Sequence, residues 1–179
     1  MGKKSDYISE RQQQFIEKQQ LFFVATAGKT GTVNLSPKGM DSLRVISKNK
    51  VVWLNLTGSG NETAAHVLEN NRITLMFCAF EGAPQILRLY GTAKAYHPRD
   101  MEYEKLIKLF PKIAGTRQLF EVSVDLVQSS CGMAVPYYDF KGERMQLEEW
   151  AEGKGKEGIE AYWQEKNTVS IDGKSTGIL

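Results

Sequence analysis

Apolar and polar residues alternate in short runs from Leu21 to Leu126, with turn residues between the runs. Leu21–Ala27 is apolar, and Thr32-Val-Asn-Leu-Ser36 alternates strictly. Gly28-Lys-Thr-Gly31 separates the two, which predicts a hairpin whose glycines supply positive φ. Leu43–Ser47 and Val51–Leu56 form a second pair across the polar Lys48-Asn-Lys50. Arg72–Phe80 returns to an extended pattern and turns at Glu81-Gly-Ala-Pro84. In the next run, Ile86–Tyr96, the residues Leu87, Leu89, Gly91, Ala93 and Ala95 share one side. Arg88, Tyr90, Thr92, Lys94 and Tyr96 take the other. A last strand alternates Phe120, Val122, Val124 and Leu126 with Glu121, Ser123 and Asp125.

Helical spacing appears around this strand-rich stretch. Ile8, Phe15 and Ile16 fall on one helical face, with Ser9 and Gln12 able to form a capping box. Ser59-Gly-Asn-Glu62 reads as a second capping box. It opens a helix with Ala64, Ala65, Val67 and Leu68 on its apolar face and an end at Asn70-Asn71. Pro98-Arg-Asp starts a third helix, which carries Tyr103, Leu106, Ile107 and Phe110 on one side. Beyond Ser130 the pattern loosens. Cys131–Asp139 reads as a loop, Glu143–Lys166 as one helix or two broken near Gly153 and Gly155, and Thr168–Leu179 as a loosely held tail. Six or seven short strands with one helix crossing between them predict a mainly β fold with peripheral helices, closed as an antiparallel barrel. The chain lacks the βαβ rhythm and the Gly-x-Gly-x-x-Gly turn of a dinucleotide-binding sheet.

Composition narrows the function classes. At 179 residues the chain is long enough to build its core without disulfides or a structural metal. Its 23 Lys and Arg against 21 Asp and Glu leave a charge of +2, no reason to expect nucleic acid or an anionic membrane as partner. No apolar run approaches the ~20 residues of a membrane-spanning helix. Met1–Tyr7 carries no apolar stretch of a secretory signal, so a cytoplasmic protein is expected. His66 and His97 have no second histidine or cysteine one helical turn away, which excludes a metal pair on one element. Cys78 sits in an apolar strand and Cys131 at a strand end, neither with a histidine nearby in sequence. Gly28-Lys-Thr-Gly31 lacks the spacing of a phosphate loop, and no Gly-x-Ser-x-Gly elbow occurs. A barrel of this kind that is an enzyme borrows its reactivity from a cofactor.

Several stretches, taken in order, resemble the pyridoxamine 5'-phosphate oxidase-like family of FMN-binding split barrels. They are Asn34-Leu-Ser-Pro-Lys-Gly39, Ser42-Leu-Arg-Val-Ile46, Val51-Val-Trp-Leu-Asn-Leu-Thr57, His66-Val-Leu-Glu-Asn-Asn71, Arg72-Ile-Thr-Leu-Met-Phe77 and Leu87-Arg-Leu-Tyr-Gly-Thr-Ala93. With the flanking strands, the resemblance extends over residues 5 to 130. It implies a six-stranded split barrel over residues 1–130 and a C-terminal extension, 131–179, packed on the barrel. It also implies a homodimer with one FMN in each interfacial groove, passing a hydride or electrons between NAD(P)H or a small-molecule substrate and an acceptor. Ser42, Leu43, Arg44 and Val45 would then run along the isoalloxazine, and Asn55, Thr57 and Thr63 would hold the ribityl phosphate. A helix N-terminus at that point agrees on physical grounds, since its free N–H groups and dipole favour an anion.

Two departures from the family pattern stand out. The family's Arg-Lys phosphate pair corresponds to Thr63 and Ala64 here, with Glu62 adding negative charge. Arg44, Arg88 or Lys38 could restore the balance, and Arg88 is expected to be best placed. The C-terminal part lacks the histidine of a true pyridoxamine phosphate oxidase, so oxidation of vitamin B6 is the lesser reading. Tyr137, Tyr138 and Trp150 are candidates to cover the flavin or a planar substrate, or simply to pack the extension. The alternatives are a barrel that has exchanged FMN for a deazaflavin or haem, and a non-catalytic binding or stress protein.

Overall fold

The computed structural model describes residues 2–179. Its strands are β1 (Lys3–Ser5), β2 (Phe22–Ala27), β3 (Val33–Lys38), β4 (Leu43–Ser47), β5 (Lys50–Leu56), β6 (Arg72–Cys78), β7 (Ile86–Tyr96) and β8 (Thr116–Ser130). Its helices are α1 (Glu10–Glu17), α2 (Glu62–Glu69), α3 (Met101–Leu106), continued by a 3₁₀ turn at Ile107–Leu109, and α4 (Gln146–Lys166). The strands pair antiparallel in the order β3-β2-β6-β7-β8-β5-β4, and β1 adds to β8. Six or seven strands were expected, six of them in the family's barrel, and eight form. The strand not read from the sequence is β1, which pairs with β8 alone, and the mainly β split barrel stands.

The edges of this sheet, β3 and β4, are joined by only Gly39–Ser42. That short link brings the edges together at one end without pairing them. Met40 and Asp41 both take positive φ, 63° and 50°, to make the turn. Ser42 Oγ donates to the Gly39 carbonyl at 2.6 Å, and Arg44 grips the Asp41 carboxylate at 2.6 Å.

Aromatic rings from four strands fill the barrel. Trp53 of β5 stacks on Phe120 of β8 at 4.8 Å and meets the edge of Phe22 of β2 at 6.4 Å. Phe22 in turn stacks on Phe77 of β6 at 5.8 Å. Ile16 of α1 and Ile8, just ahead of its N-cap, join the same cluster. Ser9 and Gln12 cap α1 reciprocally, as their spacing implies. A second cluster lies on the outer face, where Tyr103, Leu106, Ile107 and Phe110 cover Val52, Leu54 and Leu119. Strand β5, between β8 and the edge strand β4, is therefore buried on both faces, which explains its continuous apolar run. Gly91 marks a bulge between β7 and β8, where a Cβ would stand 1.9 Å from the Ser123 carbonyl oxygen. Only glycine admits that approach.

Three readings of the sequence change. The strand expected over 120–126 runs from Thr116 to Ser130, so it takes Arg117 and Gln118 into the ladder. The capping box at Ser59–Glu62 does not form: Asn61 precedes α2, and its side chain makes no cap bond. Glu62 instead accepts the Ile171 N–H at 3.0 Å. The tail is docked rather than loose. Asp172 accepts from the Thr32 N–H and hydroxyl at 2.9 Å, Lys174 pairs with Glu69 at 2.6 Å, and Ile178 is buried. A polar, glycine-containing tail hides such pairing because each partner lies more than 100 residues away. The helix expected near Gly153 and Gly155 is broken at Gly155, whose φ is 65°. No helix among the described residues is long and apolar enough to cross a membrane.

Trp53→Ala should cost about 3–5 kcal/mol, as large-to-small changes in packed cores do, read by urea denaturation. Deleting residues 168–179 should lower the melting temperature by about 5–15 °C, from several lost hydrogen bonds at about 0.5–1.5 kcal/mol each. Glu69 is held below its ordinary carboxylate range by Lys174 and the Lys29 N–H, and Asp172 by the Thr32 donors. Both anions support docking above that range and lose it as pH falls through their lowered values. Hydrogen exchange of the tail should therefore accelerate in acid before the barrel's does.

Candidate functional site

The strict alternation of β3 puts Val33, Leu35 and Pro37 outward and turns Asn34, Ser36 and Lys38 to the other face. Those three polar side chains line a pocket of about 260 Å³ together with Asn55, the Gly58–Asn61 loop, Glu62, Thr63 and Arg117. The pocket therefore sits where an edge strand, the β5–α2 loop, the start of α2 and the start of β8 converge.

Arg117 dominates its electrostatics. The residue is 3% exposed, and burial draws its pKa down to about 10, so it remains a cation at neutral pH. Its Nε and Nη2 donate to Asn55 Oδ1 at 3.0 and 2.8 Å, and its Nη1 to the Gly60 carbonyl at 2.9 Å and Asn167 Oδ1 at 2.7 Å. Every one of these acceptors is neutral. None of the ion pairs among the described residues involves Arg117. Burying a charge without a counter-ion is costly, and hydrogen bonds to neutral oxygens offset only part of it.

Lys38 lines the same pocket as a second cation. Its Nζ lies 5.2 Å from the Trp53 ring centroid. Burial, and secondarily the Arg117 charge, pull its pKa down to about 8. A group so displaced gains from any anion that enters.

The opening turn of α2 contributes donors. The first N–H groups of a helix have no intrahelical acceptor, and Asn61 lends them no side-chain oxygen. Asn61 is instead held by Gln118, whose Nε2 donates to Asn61 Oδ1 at 2.7 Å. Thr63 Oγ1 accepts from Asn34 Nδ2 at 3.2 Å, which joins β3 to the helix start. Glu62 would oppose an anion here, but its carboxylate is engaged by the Ile171 N–H at 3.0 and 3.2 Å. The site thus combines two cations, helix-terminal N–H groups and neutral polar side chains with one carboxylate, Glu62, held to the docked tail. Its chemistry is that of a receptor for a compact, multiply charged anion.

Of the residues singled out in the sequence, Asn55 and Thr63 line this pocket and Thr57 borders it. Thr57 Oγ1 donates to the Gly115 carbonyl at 2.8 Å and accepts from Trp163 Nε1 at 2.8 Å. Ser42, Leu43 and Val45 lie on or beside β4, with Leu43 and Val45 packed against the core. Arg44 faces the other way, its guanidinium 4.9 Å from the Phe110 ring and its Nε donating to the Leu109 carbonyl. Arg88, on β7, donates to Ser130 Oγ at 3.2 Å and is not among the pocket's lining residues. Tyr137 and Tyr138 are exposed, the latter against Phe80 at 5.6 Å. Trp150 meets the edge of Tyr162 at 5.1 Å on α4.

Arg117, Gln118 and Asn167 carry the site without having been singled out. The signal for the first two was a polar pair, Arg117-Gln118, abutting the apolar Leu119-Phe120. Read as the start of β8 rather than as loop, it demands buried partners. Asn167 offered no signal, since its partners lie 50 and 109 residues away. A larger, mainly apolar cavity of about 670 Å³ lies under α4, beyond Gly115 and Trp163.

Comparison with known proteins identifies the family of the fold. The profile of the pyridoxamine 5'-phosphate oxidase family matches residues 8–131. The pyridoxamine 5'-phosphate oxidase family protein ustO of Aspergillus flavus is 37% identical over 137 residues, which is 74% of this chain and 55% of that protein. The chain thus spans about half the length of this curated relative. HupZ of group A Streptococcus is similar in fold, with a TM-score of 0.56 at 21% identity over 69% of this chain and 99% of that one. A candidate pyridoxamine 5'-phosphate oxidase of Lactobacillus delbrueckii aligns with a TM-score of 0.55 at 18% identity, over 69% of this chain and 94% of its own. The match over residues 8–131, carried on a split barrel, places this chain in the pyridoxamine 5'-phosphate oxidase family.

Proposed function

We propose that this chain is an FMN-dependent oxidoreductase whose flavin phosphate occupies the pocket between Lys38, Arg117 and the start of α2. The observation that carries the reading is the buried Arg117 guanidinium, held by neutral oxygens alone and facing a pocket with a second, strained cation. Neither cation is ion-paired, and against the pocket's one carboxylate, Glu62, the two leave it net positive toward a dianionic tail. They also supply what Thr63 and Ala64 do not, because β3 and β8 deliver the positive charge that the family pattern takes from the helix. Bound flavin would supply two-electron chemistry, accepting and passing on a hydride. The chain's own residues bind and orient. Lys38, Arg117 and Thr63 hold the phosphate, and Asn55 fixes the guanidinium.

The β4 edge suits the ring end. As a terminal strand it leaves one row of N–H and C=O groups unpaired beside Ser42–Val45, which fits recognition of a ring edge through backbone. Flavin is favoured over haem because both histidines are buried, His66 at 0% and His97 at 5% exposure, and neither lines the pocket. The donor of the hydride is a reduced nicotinamide or a small substrate. The functional unit is a homodimer, for which the exposed Val33 and Leu35 on the unpaired β3 edge offer apolar contact.

FMN should bind, with its fluorescence quenched, and Lys38→Ala should weaken it about 10- to 150-fold, the loss of one charge-assisted contact worth about 1.5–3 kcal/mol. Affinity should decline as pH rises through about 8, where the Lys38 ammonium deprotonates while the flavin phosphate stays dianionic. Tight binding unchanged by the substitution and level from pH 7 to 10 would refute the assignment. Sedimentation should give twice the 20.2 kDa of the chain. A monomer mass at micromolar concentration would remove the dimer.

A further inference from the structure

The anion pocket is completed from outside the region that matches the family profile. Asn167 ends α4, 36 positions beyond residue 131, and is 0% exposed. Its Oδ1 accepts from Arg117 Nη1 at 2.7 Å, and its Nδ2 donates to the Gly58 carbonyl at 3.1 Å. Its own N–H closes α4 on the Trp163 carbonyl at 2.9 Å, and its carbonyl accepts from Thr176 Oγ1 at 2.5 Å. One side chain therefore ties the pocket's buried cation to the pocket's loop, and its backbone ties both to the docked tail. Trp163, one helical turn earlier, makes the parallel bond to Thr57 at 2.8 Å.

The chemical identity of the side chain matters. An aspartate of the same shape would make the same contact to Arg117, with better Coulomb energy, but would cancel its charge and give up the donation to the Gly58 carbonyl. The amide satisfies the guanidinium's N–H groups and leaves the charge free to act on the pocket. Asn55 and the Gly60 carbonyl obey the same rule on the other sides of Arg117. We infer that Asn167 is a positioning residue by which the C-terminal extension orients Arg117 while keeping it electrically uncompensated, and so sets the pocket's affinity for a phosphate-bearing ligand. This inference rests on the anion-site reading above and extends it to a segment outside the family match.

The test compares Asn167→Asp with Asn167→Ser in the full chain, with folding checked by circular dichroism. The readouts are the ratio of riboflavin to FMN dissociation constants and the thermal shift given by inorganic phosphate. Riboflavin lacks only the phosphate, so the ratio isolates the anion site. The wild type should prefer FMN by about tenfold or more, and phosphate should stabilise it. Asn167→Asp should bring the ratio close to one and abolish the phosphate shift, with riboflavin affinity unchanged. Asn167→Ser, neutral but too short to hold the guanidinium firmly, should retain part of both. Asp and Ser both lose the donation to the Gly58 carbonyl, so a role in packing and hydrogen bonding alone predicts that the isosteric Asp retains at least as much as Ser, and that result would overturn the inference. If phosphate stabilises the wild type but FMN and riboflavin bind alike, the flavin reading fails, while the phosphate shifts of the two variants still decide the role of Asn167. A wild type indifferent to both phosphate and FMN would overturn both.

Discussion

The site is organised by a buried guanidinium with no carboxylate beside it. Arg117 lies 3% exposed at the start of β8, and its hydrogen bonds go to two asparagine side chains and a backbone carbonyl. A charge placed so is a standing cost to the fold unless the environment satisfies its N–H groups. Each element around it contributes to that end. The β5 strand supplies Asn55, the β5–α2 loop supplies Gly60, and the end of α4 supplies Asn167. Lys38 enters the same pocket from β3, and its burial there, with the Arg117 charge second, accounts for its displaced titration.

The barrel makes this arrangement affordable by fixing the strands that carry it. Trp53 stacks on Phe120, meets Phe22 edge-on and so ties β2, β5 and β8 together, and the same indole carries Lys38 above its face. The outer cluster under α3 buries the second face of β5, so Asn55 sits on a strand with little freedom to move. A site built on strands holds its geometry better than one on loops, and the loop it does use, Gly58–Asn61, is pinned from both sides by Asn167 and Gln118.

Much of the fold could be read from residue order because its signals are local. Alternation in Val33–Lys38 and Ile86–Tyr96, the reciprocal cap at Ser9 and Gln12, and the helix break at glycine all depend on neighbours within a few positions. The candidate site was legible only in part. Asn55 and Thr63 belong to the stretches that carry the family resemblance, and the resemblance led to them. Arg117 was hidden by an ambiguity of boundary, since a polar pair before an apolar run reads as loop until the ladder with β5 is seen. Asn167 and the tail contacts with Thr32, Glu62 and Glu69 bridge more than 40 residues each, and no periodicity encodes such pairings. Arg88 alternates along β7 onto the face that the sequence assigns to it. Alternation gives the face of a strand but not its neighbours, and its partner proved to be Ser130.

The most direct test of the account is whether binding of the ligand's phosphate draws a proton from solvent onto the pocket. Calorimetric titration with FMN at pH 8.5, repeated in buffers of different ionisation enthalpy, measures protons taken up on binding. The account predicts uptake of a substantial fraction of a proton with FMN, as the phosphate raises the lowered pKa of Lys38, and none with riboflavin. Binding of FMN with no proton uptake would contradict it.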